Sequence, residues 1–147
     1  MKIIYYDEKY LKRCSEILLN HYNNPDFNCH FTPHRAMLYL QELILKPRFI
    51  GFLLLEKDQI IGFAFCHLRT WSNQDELHMD EFIIKETHQK QGIGTKLLAF
   101  ITTYAASYHL AGITTTTNVI ALTQFYQKNG FLDHDITFLY KGVTSQN

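Results

Sequence analysis

Apolar and polar positions change their period several times along this chain, and each change predicts a new element. Ile3 to Tyr6 is a short β-prone run. After Asp7, a suitable N-cap, the residues Tyr10, Leu11, Cys14, Ile17, Leu18, His21 and Tyr22 recur at helical spacing. Positions 23 to 31 are polar and irregular. Thr32-Pro33 then pairs an N-cap with proline at the first helical position, and a second helix turns Ala36, Met37, Leu40, Leu43 and Ile44 inward before Pro47 ends it. Phe49 to Glu56 and Ile60 to Arg69 are β-rich runs parted by Lys57-Asp58-Gln59, and a third run covers about Glu76 to Lys85, so an antiparallel meander is expected. Ile93, Leu97, Ile101, Tyr104 and Tyr108 return to helical spacing and carry a helix to about His109. A Thr-rich strand from Ile113 to Thr117 follows. A short helix from about Ile120 to Asn129 comes next, with Gly130 as its left-handed cap. Phe131 and Phe138 to Lys141 have strand character around a turn at Asp133-His134-Asp135. Strands first, then helices alternating with strands, predict an α/β (α+β mixed sheet) layer architecture.

Composition narrows the field. At 147 residues the chain is the size of one domain, expected to span 1-147. Lys plus Arg equals Asp plus Glu at 14 each, so no global field draws the chain to nucleic acid or to an anionic membrane surface. No apolar run approaches the ~18 residues of a membrane span, and the first residues lack a signal-peptide core, so a cytoplasmic address is expected. Cys14, Cys29 and Cys66 are odd in number and scattered, as reduced thiols are. Cys29, His30, His34 and His21 gather near the irregular segment, but their spacing fits no zinc pattern, and no metal is expected.

The chemistry concentrates between residues 80 and 98. Here a strand runs through Glu81-Phe82-Ile83-Ile84 into a turn holding Gly92 and Gly94, and a helix follows. A helix start carries backbone N–H groups without intrahelical acceptors and a partial positive charge, so an anionic phosphate can settle on it. Glycine there removes the Cβ atoms that hold a ligand off the main chain. Gly92-Ile93-Gly94-Thr95-Lys96 cannot be fitted to a Walker A loop. The dinucleotide fingerprint would need glycine where Leu97 stands.

What remains, Gln89-x-x-Gly92-x-Gly94 between strand and helix, resembles motif A of the GNAT superfamily of acetyl-CoA-dependent N-acetyltransferases. A second landmark lies in order: Phe125-Tyr126-Gln127-Lys128-Asn129-Gly130-Phe131 is similar to that family's aromatic-Tyr-x-x-x-Gly-Phe signature. The resemblance covers most of the chain. It implies a GNAT fold, a central mostly antiparallel sheet with splayed fourth and fifth strands, flanked by helices, and an acetyl group moved from acetyl-CoA to a primary amine by direct attack in a ternary complex. Gln89, Lys90, Gln91, Gly92, Ile93, Gly94 and Thr95 would then receive the coenzyme A diphosphate, and Phe82, Ile83 and Ile84 would meet the pantetheine and thioester through their main chain.

Tyr126 matches the tyrosine that in many relatives protonates the departing thiolate. A phenol of reference pKa about 10 keeps its proton at neutral pH and can donate it. An amine acceptor of similar pKa is only about a thousandth neutral at pH 7, so a base is needed. The choices on the fourth strand are His78, Asp80 and Glu81, with Glu81 preferred as nearest the implied thioester and His78 next. Strict alternation puts Glu81 on the face opposite His78 and Asp80, whereas a bulge, frequent there in the family, reverses this. The fifth-strand position where ribosomal-protein N-terminal acetyltransferases carry glutamate is Thr114. Where relatives often carry asparagine ahead of the tyrosine, this chain has Val119, with Asn118 one step away as a helix cap. Tyr22, Phe27, Phe31 and Tyr39 are expected to floor the acceptor pocket, and Asp133 and Asp135 offer a weak attraction for a cationic amine. The acceptor class, small-molecule or peptide amine, stays open, as does a homodimer. The alternative from another class is a non-catalytic acyl-CoA sensor or interaction module.

Overall fold

The computed structural model describes residues 1–117, 119–134 and 136–144, which form two compact units, Met1–Thr116 and Thr117–Asn147. Asn118, expected as a cap, and Asp135, expected in a turn, lie outside the described residues.

The first unit holds β1 (Lys2–Tyr5), α1 (Leu11–Tyr22), α2 (Pro33–Ile44), β2 (Phe49–Glu56), β3 (Gln59–Arg69), β4 (Glu76–Ile84), α3 (Ile93–Ser107) and β5 (Ile113–Thr115). The strands form one sheet in the order β1-β2-β3-β4-β5. Every pairing is antiparallel except β4 with β5, which is parallel. Helices cover both faces, as the alternation of β2 requires. Leu53 and Leu55 join Phe63, Phe65 and Ile83 in a core with Ile17 and Leu18 of α1 and Leu40 and Leu43 of α2. Phe52, on the opposite face, meets Phe100 and Tyr104 of α3 with ring centroids 5.9 and 5.3 Å apart.

Local chemistry sets the boundaries. Thr32 accepts the Arg35 N–H at 3.2 Å and Pro33 opens α2, as expected. Asp7 caps a 3-10 turn, Glu8–Tyr10, that leads into α1 and does not cap the α-helix directly. Lys57 and Asp58 both take positive φ, 51° and 61°, and join β2 to β3 in a two-residue hairpin. α3 stops two residues short of the expected His109 because that residue is left-handed (φ 57°) and closes the helix, its N–H bonding Ala106 O and the next N–H bonding Ala105 O.

The second unit holds α4 (Ile120–Lys128). Gly130 (φ 94°) donates to Gln127 O at 3.1 Å and Phe131 to Tyr126 O at 3.0 Å, the paired bonds of a Schellman cap. The Phe131 and Tyr126 rings, 5.2 Å apart, supply its apolar contact. Phe131 and Phe138 to Lys141 are not strands: among the described residues they carry no ladder. Their β-propensity reflects side-chain fit to a pleated surface, and a strand exists only where a neighbour supplies the other half of its hydrogen bonds.

Candidate active site

A register shift governs the middle of β4. Phe65 of β3 stands opposite Glu81 and Cys66 opposite Met79, so Asp80 is the inserted residue of a β-bulge. Alternation past the bulge is reset, and His78, Asp80 and Glu81 all face the α1–α2 side, against the arrangement that strict parity gives. His78 lies opposite His67, and Asp80 takes the His67 Nδ1 at 2.6 Å and the Lys46 Nζ at 2.8 Å.

Glu81 is 6% exposed. Two helices supply its hydrogen bonds. The Tyr22 hydroxyl, at the last residue of α1, lies 2.9 and 2.8 Å from its two carboxyl oxygens, and the Tyr39 hydroxyl of α2 lies 2.5 Å from Oε1. Burial pushes the Glu81 carboxyl up to about 7 from 4.5; the Tyr39 and Tyr22 hydrogen bonds oppose that shift, and the nearby Asp80 charge adds to it. Tyr39 is itself raised, by burial and then by Glu81, so its phenol stays a donor. A buried carboxyl whose proton affinity is raised in this way has the character of a proton acceptor.

Aromatic rings stand around this carboxyl. Tyr22 contacts Phe27 and Phe31 at centroid distances of 5.2 and 5.6 Å, and Phe31 contacts Tyr39 at 5.9 Å. Asn23 clasps the segment by donating to Phe31 O and accepting from Phe31 N, both at 3.0 Å. His78 is committed elsewhere: its Nδ1 meets Thr114 Oγ1 at 2.8 Å, its Nε2 lies 3.9 Å from Asp80, and burial lowers its proton affinity.

Toward its carboxyl end, β4 parts from β5 while staying paired with β3. The β4–β5 ladder covers Leu77, His78 and Met79 opposite Ile113, Thr114 and Thr115, and no pairing of Asp80–Ile84 with β5 follows among the described residues. Lys85 N–H donates to Ile61 O at 2.8 Å, and antiparallel alternation then turns the main chain of Ile83 and Glu81 toward β3 and that of Phe82 and Ile84 toward the outer edge. Of the three strand residues expected to meet a thioester through main chain, Ile83 therefore serves the ladder.

The turn after β4 continues this edge. Gln89 donates from Nε2 to Ile84 O at 2.8 Å, so its side chain ties the turn to the strand end, and Gln91 reaches Thr87 O at 3.4 Å. Lys90 (φ 61°) and Gly92 (φ 77°) are left-handed, and Gly92 opens α3 with no side-chain cap. Among the described residues, no protein group accepts the N–H of Lys90, Gln91, Gly92, Ile93, Gly94 or Thr95. Successive N–H groups without acceptors at a helix start are a general setting in which anions settle.

Tyr126 lies in α4, buried, its ring 5.3 Å from Phe125. The spacing from Tyr126 to Gly130-Phe131 is that of its helix cap. Among the described residues no group of three or more His, Cys, Asp or Glu is placed to hold a metal ion, and no helix is long and apolar enough to cross a membrane. Sequence reading missed the tie of Tyr22 and Tyr39 to Glu81 and the Lys46–Asp80–His67 group. The signs available were that Tyr22 fell on an inward helical stripe and that both tyrosines were expected at the acceptor pocket.

The class the architecture defines is an α/β fold with a mixed five-stranded sheet flanked by helices. The profile of the acetyltransferase (GNAT) family matches residues 15–131, and the chain belongs to that family of acetyl-transferring enzymes. Solved structures share the fold. It is similar to a possible acetyltransferase from Clostridium difficile 630, with TM-score 0.82 and 12% identity over 98% of each chain. A predicted acetyltransferase with acetyl-CoA from Clostridium acetobutylicum gives TM-score 0.77 and 15% identity over 95% of each chain. An aminoglycoside acetyltransferase from an uncultured soil metagenomic sample, in complex with sisomicin, gives 0.74 and 15%, covering 97% of this chain and 96% of that one.

Proposed function

We propose that residues 1-147 act as one transferase domain that moves an acetyl group from acetyl-CoA to a primary amine by direct attack in a ternary complex. The observation that carries this is the run of unaccepted N–H groups from Lys90 to Thr95 in the turn that follows β4 and opens α3. The amides receive the diphosphate, and the pantetheine lies along the β4 edge. The main chain of Phe82 and Ile84 faces the thioester, where an N–H polarises the carbonyl and takes the charge that builds on its oxygen during attack.

Glu81 accepts the amine proton. Its hydrogen bonds from Tyr22 and Tyr39 favour the ionised form that does so, while burial keeps its basicity high enough to act near pH 7. The neutral amine nitrogen then attacks the thioester carbon; as the C–S bond breaks, the nitrogen gives up its second proton to solvent and the thiolate takes one, the family resemblance assigning that donor role to Tyr126. His78, tied to Thr114, is the lesser candidate for the base. The rings of Phe27 and Phe31, packed on the tyrosines that bond Glu81, suit an acceptor amine on an apolar stem, and the aminoglycoside acetyltransferase among the similar folds makes a small-molecule amine the first class to try.

Thiol release from acetyl-CoA with a panel of amines, run beside calorimetric titration with coenzyme A, tests the reading. Binding with turnover on one or more amines is expected. Binding without turnover on any would favour an acyl-CoA sensor, and no binding would overturn the assignment of the amide cluster.

A further inference from the structure

We propose that Asp80 is a positioning residue for the acetyl transfer: tied to Lys46 and His67, it fixes the β4 bulge that turns Glu81 toward Tyr22 and Tyr39. The proposal rests on Glu81 as the proton acceptor. Two adjacent carboxylates on one strand normally point to opposite faces. Here the inserted residue forces both onto one face, where their like charges repel, so some opposing force must hold the arrangement.

That force is visible on the Asp80 side. Its Oδ2 lies 2.6 Å from His67 Nδ1 and its Oδ1 2.8 Å from Lys46 Nζ, in a setting where the Asp80 side chain is only 11% exposed. The two anchors come from different elements, β3 and the segment after α2. They grip the bulged residue against the sheet, beside the Glu81 carboxyl that bonds both phenols.

The groups against this pair are Tyr22 of α1, Tyr39 of α2, Lys46 beyond it, His67 of β3 and His78 on β4. Of these, the Tyr39 and Tyr22 hydrogen bonds oppose the raised proton affinity of Glu81, and Asp80 supports it. Asp80 therefore acts twice: its bonds orient Glu81, and its charge keeps the Glu81 proton from leaving too readily.

Asp80→Asn keeps the shape and removes the charge. It is expected to lower kcat on the best amine by roughly ten- to a hundredfold while the KM for acetyl-CoA stays within about twofold. The Glu81 carboxyl, followed by 13C NMR in glutamate-labelled protein, should titrate at lower pH than in the wild type. Lys46→Met, at a side chain 39% exposed, serves where Asp80→Asn does not fold: it should lower kcat, and Lys46→Arg should restore it. Wild-type kcat and an unmoved Glu81 titration in Asp80→Asn would overturn the proposal, as would wild-type kcat in Lys46→Met. Glu81→Gln separates the two ideas. If it turns over like the wild type, the base assignment falls, and Asp80 is then judged by the Glu81 titration alone.

Discussion

Removing the Tyr39 hydroxyl is the most informative single change at Glu81. In Tyr39→Phe the ring still packs against Phe31, but the 2.5 Å bond to Oε1 is gone and Tyr22 remains as a donor. A hydrogen bond to a charged acceptor contributes about 1.5–3 kcal/mol, and each pKa unit corresponds to about 1.4 kcal/mol, so even at the weaker end losing the bond should raise the carboxyl by about one unit. Starting near 7, the midpoint moves to about 8, and the ionised share at pH 7 drops from about half to about a tenth. The kcat/KM for the amine at pH 7 should fall about fivefold and recover above about pH 8.5, since the base must be ionised to act. The assay is a pH profile of initial rates for both proteins, with 13C titration of the carboxyl beside it. A midpoint that stays put or moves down would refute the reasoning. A purely packing role for Tyr39 would instead lower Tm and leave the profile where it was.

Other outcomes follow from the same geometry. Glu81 binds its proton more tightly folded than unfolded, so the native state holds the extra proton between about 4.5 and 7 and stability falls as pH rises through that window. The loss amounts to about 3 kcal/mol, and Glu81→Gln should flatten it in urea titrations at pH 5 and pH 8. Gly62→Ala places a Cβ 2.7 Å from Ile84 Cδ1 and 3.0 Å from the Ile83 carbonyl; with backbone unable to give way, about 1–3 kcal/mol of stability should be lost, with a raised KM for acetyl-CoA. Cys14 and Cys66 are fully buried, with their thiols held protonated by burial, so of the three cysteines only Cys29 should react promptly with a disulfide reagent.

Much of the frame was legible in the sequence because it rests on local periodicity. The meander, the Thr32-Pro33 start of α2 and the Gly130 stop of α4 each follow from patterns within a few residues. The turn with Gly92 was legible for the same reason, strand and helix being adjacent in the chain. Strand ends were harder: β5 stops at Thr115, since its limit is set by where β4 ceases to pair, a fact stored in neither segment alone. The setting of Glu81 was the least legible. Its partners Tyr22 and Tyr39 lie 59 and 42 residues away, and the face it occupies depends on one inserted residue that no alternation rule reveals. Only the packed structure brings α1, α2 and the bulge together.

Binding of the acyl donor, as proposed above, runs through main-chain donors after β4 that hold its diphosphate. The most direct measurement is a 15N amide NMR titration of the chain with coenzyme A. The claim predicts that the amides of residues 90 to 95 show the largest shifts and gain protection from hydrogen exchange, with Ile84 following. Binding that leaves those six amides unmoved and shifts another surface would contradict it.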